Sequence, residues 1–360
     1  MPKPLINITN LSLEYPQNQV LKGLNWQIFY GENWLLGGKS GSGKTSLAKA
    51  IAGLEKSSGD IEINFDPLSS LPKQVVFVSS WYQFTNLEGD RNFYYQQRYN
   101  KHQQNDTLTV YAELQKFAQK EVLNIDDVDY YLELLGFSDA KNTQLIELSS
   151  GENKKMQLIK ALWLKPQLLI IDQPYTGLDA ASRKNLNQVF EDQSSEGSHL
   201  ILISNDDELP HCINRFAEID NGHLIVLKHK DEITKEEARL KRTLPSFLCE
   251  SPTISANSMV RMNNVNVKYG DKQVLNNITW EVKAGEKWLL QGPNGSGKST
   301  LLSLINGDHP QAYTNSIYLF GKKRGSGESI WDIKEHLGII SPELHWYFDS
   351  TAKVWQSVAS

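Results

Sequence analysis

The stretch that most limits what this chain can fold into is GKSGSGKT, Gly38 to Thr45, which returns almost letter for letter as GPNGSGKS, Gly292 to Ser299. Both obey G-x-x-x-x-G-K-[ST], the spacing of a phosphate-binding loop. The glycines turn successive backbone N–H groups toward an anion, and the helix opening at the lysine offers its positive end to the same charge. One copy could be a Gly-Ser turn ahead of a helix; two copies in matching context argue against that. The residues expected to surround phosphates are Gly38, Lys39, Ser40, Gly41, Ser42, Gly43, Lys44 and Thr45 in the first loop. In the second they are Gly292, Pro293, Asn294, Gly295, Ser296, Gly297, Lys298 and Ser299. Lys44 and Lys298 should reach the outer phosphates, while the hydroxyls of Thr45 and Ser299 are the expected Mg2+ ligands.

Lys298 minus Lys44 gives an offset of 254, and the offset holds without a gap on both sides of the loop. Tyr15 matches Tyr269, Val20-Leu21 matches Val274-Leu275, Trp26 matches Trp280, and Trp34-Leu35-Leu36 matches Trp288-Leu289-Leu290. A period this long is a duplicated domain rather than a solenoid repeat, so each copy needs its own core.

Residues 5 to 35 read as short alternating strands, followed by the loop, a helix over Lys44 to Ala52 and Gly53 as its stop. A strand is expected near Val75 to Ser79. From Asp90 to Lys141 the chain turns polar, with VYAELQKFAQK at helical spacing, which predicts an inserted helical subdomain. LLIIDQP, Leu168 to Pro174, and HLILISN, His199 to Asn205, are continuous apolar runs of the kind found in buried parallel strands. The first delivers Asp172 at its carboxyl end, where an acid would hold the metal. Charges and prolines between Lys228 and Asn257 mark a linker. The expected division is a complete first domain over 1–228, a linker over 229–257 and the N-terminal part of a second domain over 258–360.

No apolar run approaches the length needed to cross a bilayer, and MPKPLINITN lacks the basic end and apolar middle of a signal peptide, which predicts a cytoplasmic location. Cys212 and Cys249 lie far apart without metal-ligand spacing, so neither a disulfide framework nor a zinc site is indicated. A net charge of −5 argues against a broad electrostatic footprint for nucleic acid.

Between the helical region and the Asp172 strand lies LSSGE, Leu148 to Glu152; after the strand comes YTGLD, Tyr175 to Asp179. With these in place the chain resembles the ATP-binding cassette (ABC) family, whose signature is LSGGQ: Leu148, Ser149 and Gly151 match, Ser150 and Glu152 depart. The resemblance implies an α/β, P-loop NTPase fold in tandem, each copy a parallel-sheet core with antiparallel β and helical subdomains. It implies ATP and Mg2+ as cofactors, with Ser149 and Gly151 closing over the ATP of the other copy and Tyr15 and Tyr269 stacking on adenine. The alternative for each tyrosine is simple packing on its sheet.

The departures bear on mechanism. The family usually places Glu after the acid to polarise water, and this chain has Gln173; a carboxamide orients water but cannot take its proton. The family's switch histidine is Asn205 here. The first site is therefore expected to bind ATP and hydrolyse it slowly. Gln83 is the nearest candidate for the family's glutamine after the next strand, and GIISPELHW offers Glu343 in the second copy.

Only 62 residues separate Lys298 from Ser360, and no second signature or acid-bearing strand appears among them, so the sequence is expected to be part of a longer protein. The segment Asn306 to His345, with FGKKRGSGESIWDIK, is similar to tandem ABC proteins associated with molybdate transport. That resemblance implies an ATPase subunit peripheral to the inner face of the membrane, driving a separate permease and not binding solute itself. A soluble tandem ABC protein acting on ribosomes or nucleic acid stays open as the alternative.

Overall fold

The computed structural model describes residues 3–16, 18–80, 108–233, 257–269, 272–292, 295–307 and 309–340. They form two compact units, the first built on the described residues up to 233 except 146–150, and the second on those five together with the described residues from 257. Among the described residues, no helix is long and apolar enough to cross a membrane.

The first unit opens with an antiparallel sheet. β1 (Ile6–Tyr15) and β2 (Asn18–Ile28) pair from Ile6↔Ile28 to Tyr15↔Asn18. β3 (Trp34–Gly37) runs straight into the phosphate loop and then α1 (Lys44–Ile51). β4 (Ser58–Ile63) completes the three-stranded sheet in the order β2-β1-β4. β5 (Val75–Val78) precedes the helical part, α2 (Val110–Glu121), α3 (Val128–Leu134) and α4 (Ser150–Trp163). Thr109 caps α2 by accepting the Ala112 N–H. The expected inserted subdomain is thus helical from Val110; its beginning lies outside the described residues.

β6 (Leu168–Asp172), α5 (Ala180–Ser195), β7 (His199–Ile203), β8 (Arg215–Asp220) and β9 (His223–Leu227) complete the unit. The six-stranded sheet runs β5-β6-β7-β3-β8-β9, parallel except for the β8–β9 hairpin. All five residues of β6 are buried, which explains its unbroken apolar run. β3 is central, between β7 and β8, so Trp34, Leu35 and Leu36 are only 3%, 1% and 1% exposed.

The second unit repeats the opening: β10 (Ser258–Tyr269) pairs with β11 (Lys272–Lys283) and ends on Tyr269↔Lys272, as β1 and β2 end on Tyr15↔Asn18. α6 (Lys298–Ile305) follows the second loop. A 3-10 turn (Pro310–Ala312), β12 (Ser316–Leu319), β13 (Lys322–Lys323) and α7 (Ile330–Lys334) close the unit, with sheet order β11-β10-β12-β13. A separate core holds Met262, Val265, Val267, Leu304, Ala312 and Ile317. Arg324, buried in this unit, bonds Glu328 and the Tyr313 hydroxyl at 3.1 Å each, which staples the RGSGE stretch to the unit.

Trp288, Leu289 and Leu290, letter for letter the counterparts of β3, are 58%, 79% and 40% exposed and form no strand. Parallel neighbours make β3 a buried strand in the first unit. Among the described residues of the second unit, such neighbours are absent.

Candidate functional site

The site of the first unit forms where β3, β6 and β7 end together. β6 and β7 register Asp172 opposite Ile203, and β7 in turn pairs with β3, whose last residue, Gly37, leads into the loop. Gly43 closes the loop at φ +107°, and a Cβ there would stand 2.8 Å from Val20 Cγ1. Glycine is required on both counts, by a backbone angle that L side chains avoid and by the β2 residue packed against it.

Lys44 Nζ donates to the carbonyl oxygens of Gly38 and Lys39 at 2.7 and 2.8 Å, which folds the loop around its own lysine. Thr45 Oγ1 donates to Asp172 Oδ2 at 2.6 Å. Asp172 is buried, and desolvation pushes its carboxyl above the usual range against the lowering effects of the Thr45 bond and of Lys154, Lys44 and Lys49. Ser42 Oγ is buried within the loop without a hydrogen-bond partner from the protein. An unsatisfied hydroxyl, a lysine held across the loop and a hydroxyl–carboxylate pair match a phosphate and its divalent cation.

Gln173 follows Asp172 at φ +51°, a left-handed conformation uncommon for a residue with a side chain. Its N–H donates to Ile203 O at 2.8 Å, and the Asp172 carbonyl accepts from Lys154 Nζ at 2.8 Å. The peptide unit between the acid and the glutamine is therefore held at both ends. Asn205 lies two residues past β7 and is exposed. Ser149 and Gly151 flank Ser150, the first residue of α4; Gly151 is buried and Ser149 half-buried. Tyr15 ends β1, is 41% exposed and meets Ser46 Oγ at 3.3 Å through its hydroxyl.

In the second unit, Lys298 Nζ donates to Gly292 O at 2.7 Å, repeating the lysine bond of the first loop. Gly295 and Gly297 have φ +76° and +88°, matching Gly41 at +78° and Gly43 at +107°. Ser296 and Ser299 are exposed. Pro293, Asn294, Gln83 and Glu343 lie outside the described residues. Tyr269 is half-buried, its hydroxyl 2.7 Å from His309 Nε2.

Two residues near these sites are not marked by any sequence motif. Lys154, one turn into α4, is buried and joins Ser79 O at 2.7 Å and Asp172 O at 2.8 Å; burial drives its amine down to about 7, against the pull of Asp172. The run NKK reads as a solvated helix face, and only its spacing from the buried Met156, Leu158 and Ile159 marks it as lying within a largely buried helix. His309 gives no pattern at all, being a single histidine after a helix.

These features define a phosphate-loop nucleotide-binding protein with a duplicated loop. The family model described as "ABC transporter" matches residues 21–176 and 275–356, and the chain belongs to that family. The ABC transporter ATP-binding protein ModF of Escherichia coli is 35% identical over 333 residues, 88% of this chain and 65% of ModF. The uncharacterized ABC transporter ATP-binding protein C323.04 of Schizosaccharomyces pombe is 30% identical over 98% of this chain and 74% of its own length. The chain thus spans less than two thirds of ModF. The spermidine/putrescine import ATP-binding protein PotA of Fusobacterium nucleatum is 27% identical over 80% of this chain and 74% of its length. A solved structure titled "Structure of ATP binding subunit of ABC transporter" aligns at 23% identity and TM-score 0.49, covering 63% of this chain and 91% of that one.

Proposed function

We propose that this chain is an ATP-binding and ATP-hydrolysing subunit of an ABC transport system, with a first site that holds nucleotide and turns it over slowly. The observation that carries the reading is the Thr45–Asp172 hydrogen bond beside Lys44, a hydroxyl, carboxylate and ammonium gathered at one loop. ATP with Mg2+ supplies an electrophilic γ-phosphorus and a cation that neutralises charge on the phosphates. Lys44 binds outer phosphate oxygens, and Thr45 and Asp172 hold the cation directly or through water. Gln173 orients water without accepting its proton, and Asn205 offers the γ-phosphate a hydrogen bond. Ser299 and Lys298 take the corresponding roles in the second loop, Ser149 and Gly151 are the signature contacts to ATP, and Tyr15 and Tyr269 stack on adenine.

The proposed division is a first cassette over 1–228, a linker over 229–257 and a second cassette from 258. A separate permease carries the solute, and this subunit works against it from the cytoplasmic side of the membrane. Similarity of Asn306 to His345 to tandem proteins associated with molybdate transport supports a molybdate-related solute. The names of other relatives refer to spermidine/putrescine and ribose import.

Lys44→Ala and Lys298→Ala should each weaken ATP binding in calorimetry, while only Lys298→Ala removes most phosphate release from the full-length protein. Equal losses of turnover would defeat the unequal-site reading. Co-sedimentation with ribosomes in low salt, with no membrane protein recovered on affinity purification, would favour the ribosome-directed alternative.

A further inference from the structure

We infer that His309 is a positioning residue that fixes the orientation of Tyr269 and so sets how tightly the second cassette holds the adenine of ATP. This rests on the reading of Tyr269 as the base-stacking aromatic. Tyr269 closes the β10–β11 hairpin opposite Lys272, and that hairpin is packed on the phosphate loop. A Cβ on Gly297 would stand 2.9 Å from Leu275 Cδ2 and 3.1 Å from Val274 Cγ1, just as one on Gly43 would meet Val20 and Leu21. The tyrosine is therefore carried beside the loop in both cassettes by the same construction.

What holds the ring differs. His309 follows α6 and is fully buried. Its Nδ1 accepts the N–H of Gln311 at 3.1 Å, so the neutral imidazole carries its proton on Nε2 and donates it to the Tyr269 oxygen, 2.7 Å away. Both ring nitrogens are committed: one anchors the imidazole to the 3-10 turn, the other anchors the phenol. Burial keeps the ring neutral, with its pKa down at about 4. At the offset of 254, His309 corresponds to Glu55, and Tyr15 instead meets Ser46 of α1 at 3.3 Å. The two cassettes thus fix equivalent aromatics by unrelated means, a short bond from a buried imidazole against a long contact with a helix hydroxyl.

Stacking requires the ring plane to be set before the base arrives, and a released phenol must be reordered on binding. The test uses the full chain carrying Lys44→Ala, so that the second loop dominates the signal, titrated with ATP and with inorganic tripolyphosphate, both with Mg2+. Tripolyphosphate engages the loop and has no base. His309→Leu should weaken ATP about three- to tenfold and leave tripolyphosphate unchanged. Tyr269→Phe, which keeps the ring and loses the hydroxyl, should match it, and His309→Gln, whose amide can donate to the phenol, should restore ATP affinity. Equal weakening of both ligands would show general damage to the loop and overturn the inference, as would unchanged ATP binding in both His309→Leu and Tyr269→Phe. Tyr269→Ala separates the two layers. If it leaves ATP affinity intact, the stacking reading falls and the inference with it; if it weakens ATP while His309→Leu does not, stacking stands and the role of His309 is refuted.

Discussion

Lowering the pH from 7 to 5 should loosen the segment around His309 by about 2 kcal/mol, and the number follows from one ring. An exposed imidazole titrates near 6.5, whereas burial holds His309 at about 4 in the fold. Between those values the opened segment binds a proton that the closed one does not, so stability is complete above pH 6.5 and is lost as the pH falls toward 4. At pH 5 the open form is favoured by about thirtyfold through protonation, which is the about 2 kcal/mol quoted. Protonation also removes the Nδ1 lone pair that accepts the Gln311 N–H, so that amide is the natural reporter. Hydrogen exchange over the peptide containing Gln311, corrected for the intrinsic pH dependence of exchange, should lose protection in the wild type. In His309→Gln, which has nothing to titrate, the loss should vanish. The same pH dependence in both proteins would refute the assignment of the effect to His309.

Thr45→Val removes the donor to a buried carboxylate oxygen, and should destabilise the first unit by about 1–3 kcal/mol in urea unfolding while abolishing the Mg2+-dependent part of ATP affinity at that site. Gly43→Ala forces a side chain into φ +107° and against Val20, so the strain of about 1–2 kcal/mol from the backbone alone should appear as a lower melting temperature together with weaker ATP binding. Gln173→Glu supplies a general base and should raise phosphate release in a Lys298→Ala background; an unchanged rate would point to Asn205 as the limiting departure.

Much of the first unit is legible in the sequence because its signals are local. The glycine spacing, the unbroken apolar runs of β6 and β7, and the helical spacing after Val110 each dictate their own conformation, and the sheet collects them. Partnership is not legible. Trp34-Leu35-Leu36 and Trp288-Leu289-Leu290 are the same three letters, yet burial differs because a parallel strand takes its hydrogen bonds from distant segments. Lys154 goes unmarked for a related reason: a lysine reads as solvent-facing until two carbonyls, 75 and 18 residues away, are brought to its amine. Tyr15 and Tyr269 look equivalent by their interval to the loop. Their different hydroxyl partners come from chain that lies after each loop, Ser46 in one case and His309 in the other.

The doubly held peptide between Asp172 and Gln173 makes α4 a lever. Lys154 is the fifth residue of that helix, about 6 Å along its axis from the end where Ser149 and Gly151 stand. A helix does not bend over so short an arm. Its first turn is therefore tied to the Asp172 carbonyl through one lysine side chain, while the Ile203 oxygen holds the neighbouring N–H. The same peptide thus joins the start of α4, the acid of β6 and the end of β7, with Gln173, whose backbone is left-handed, next in the chain.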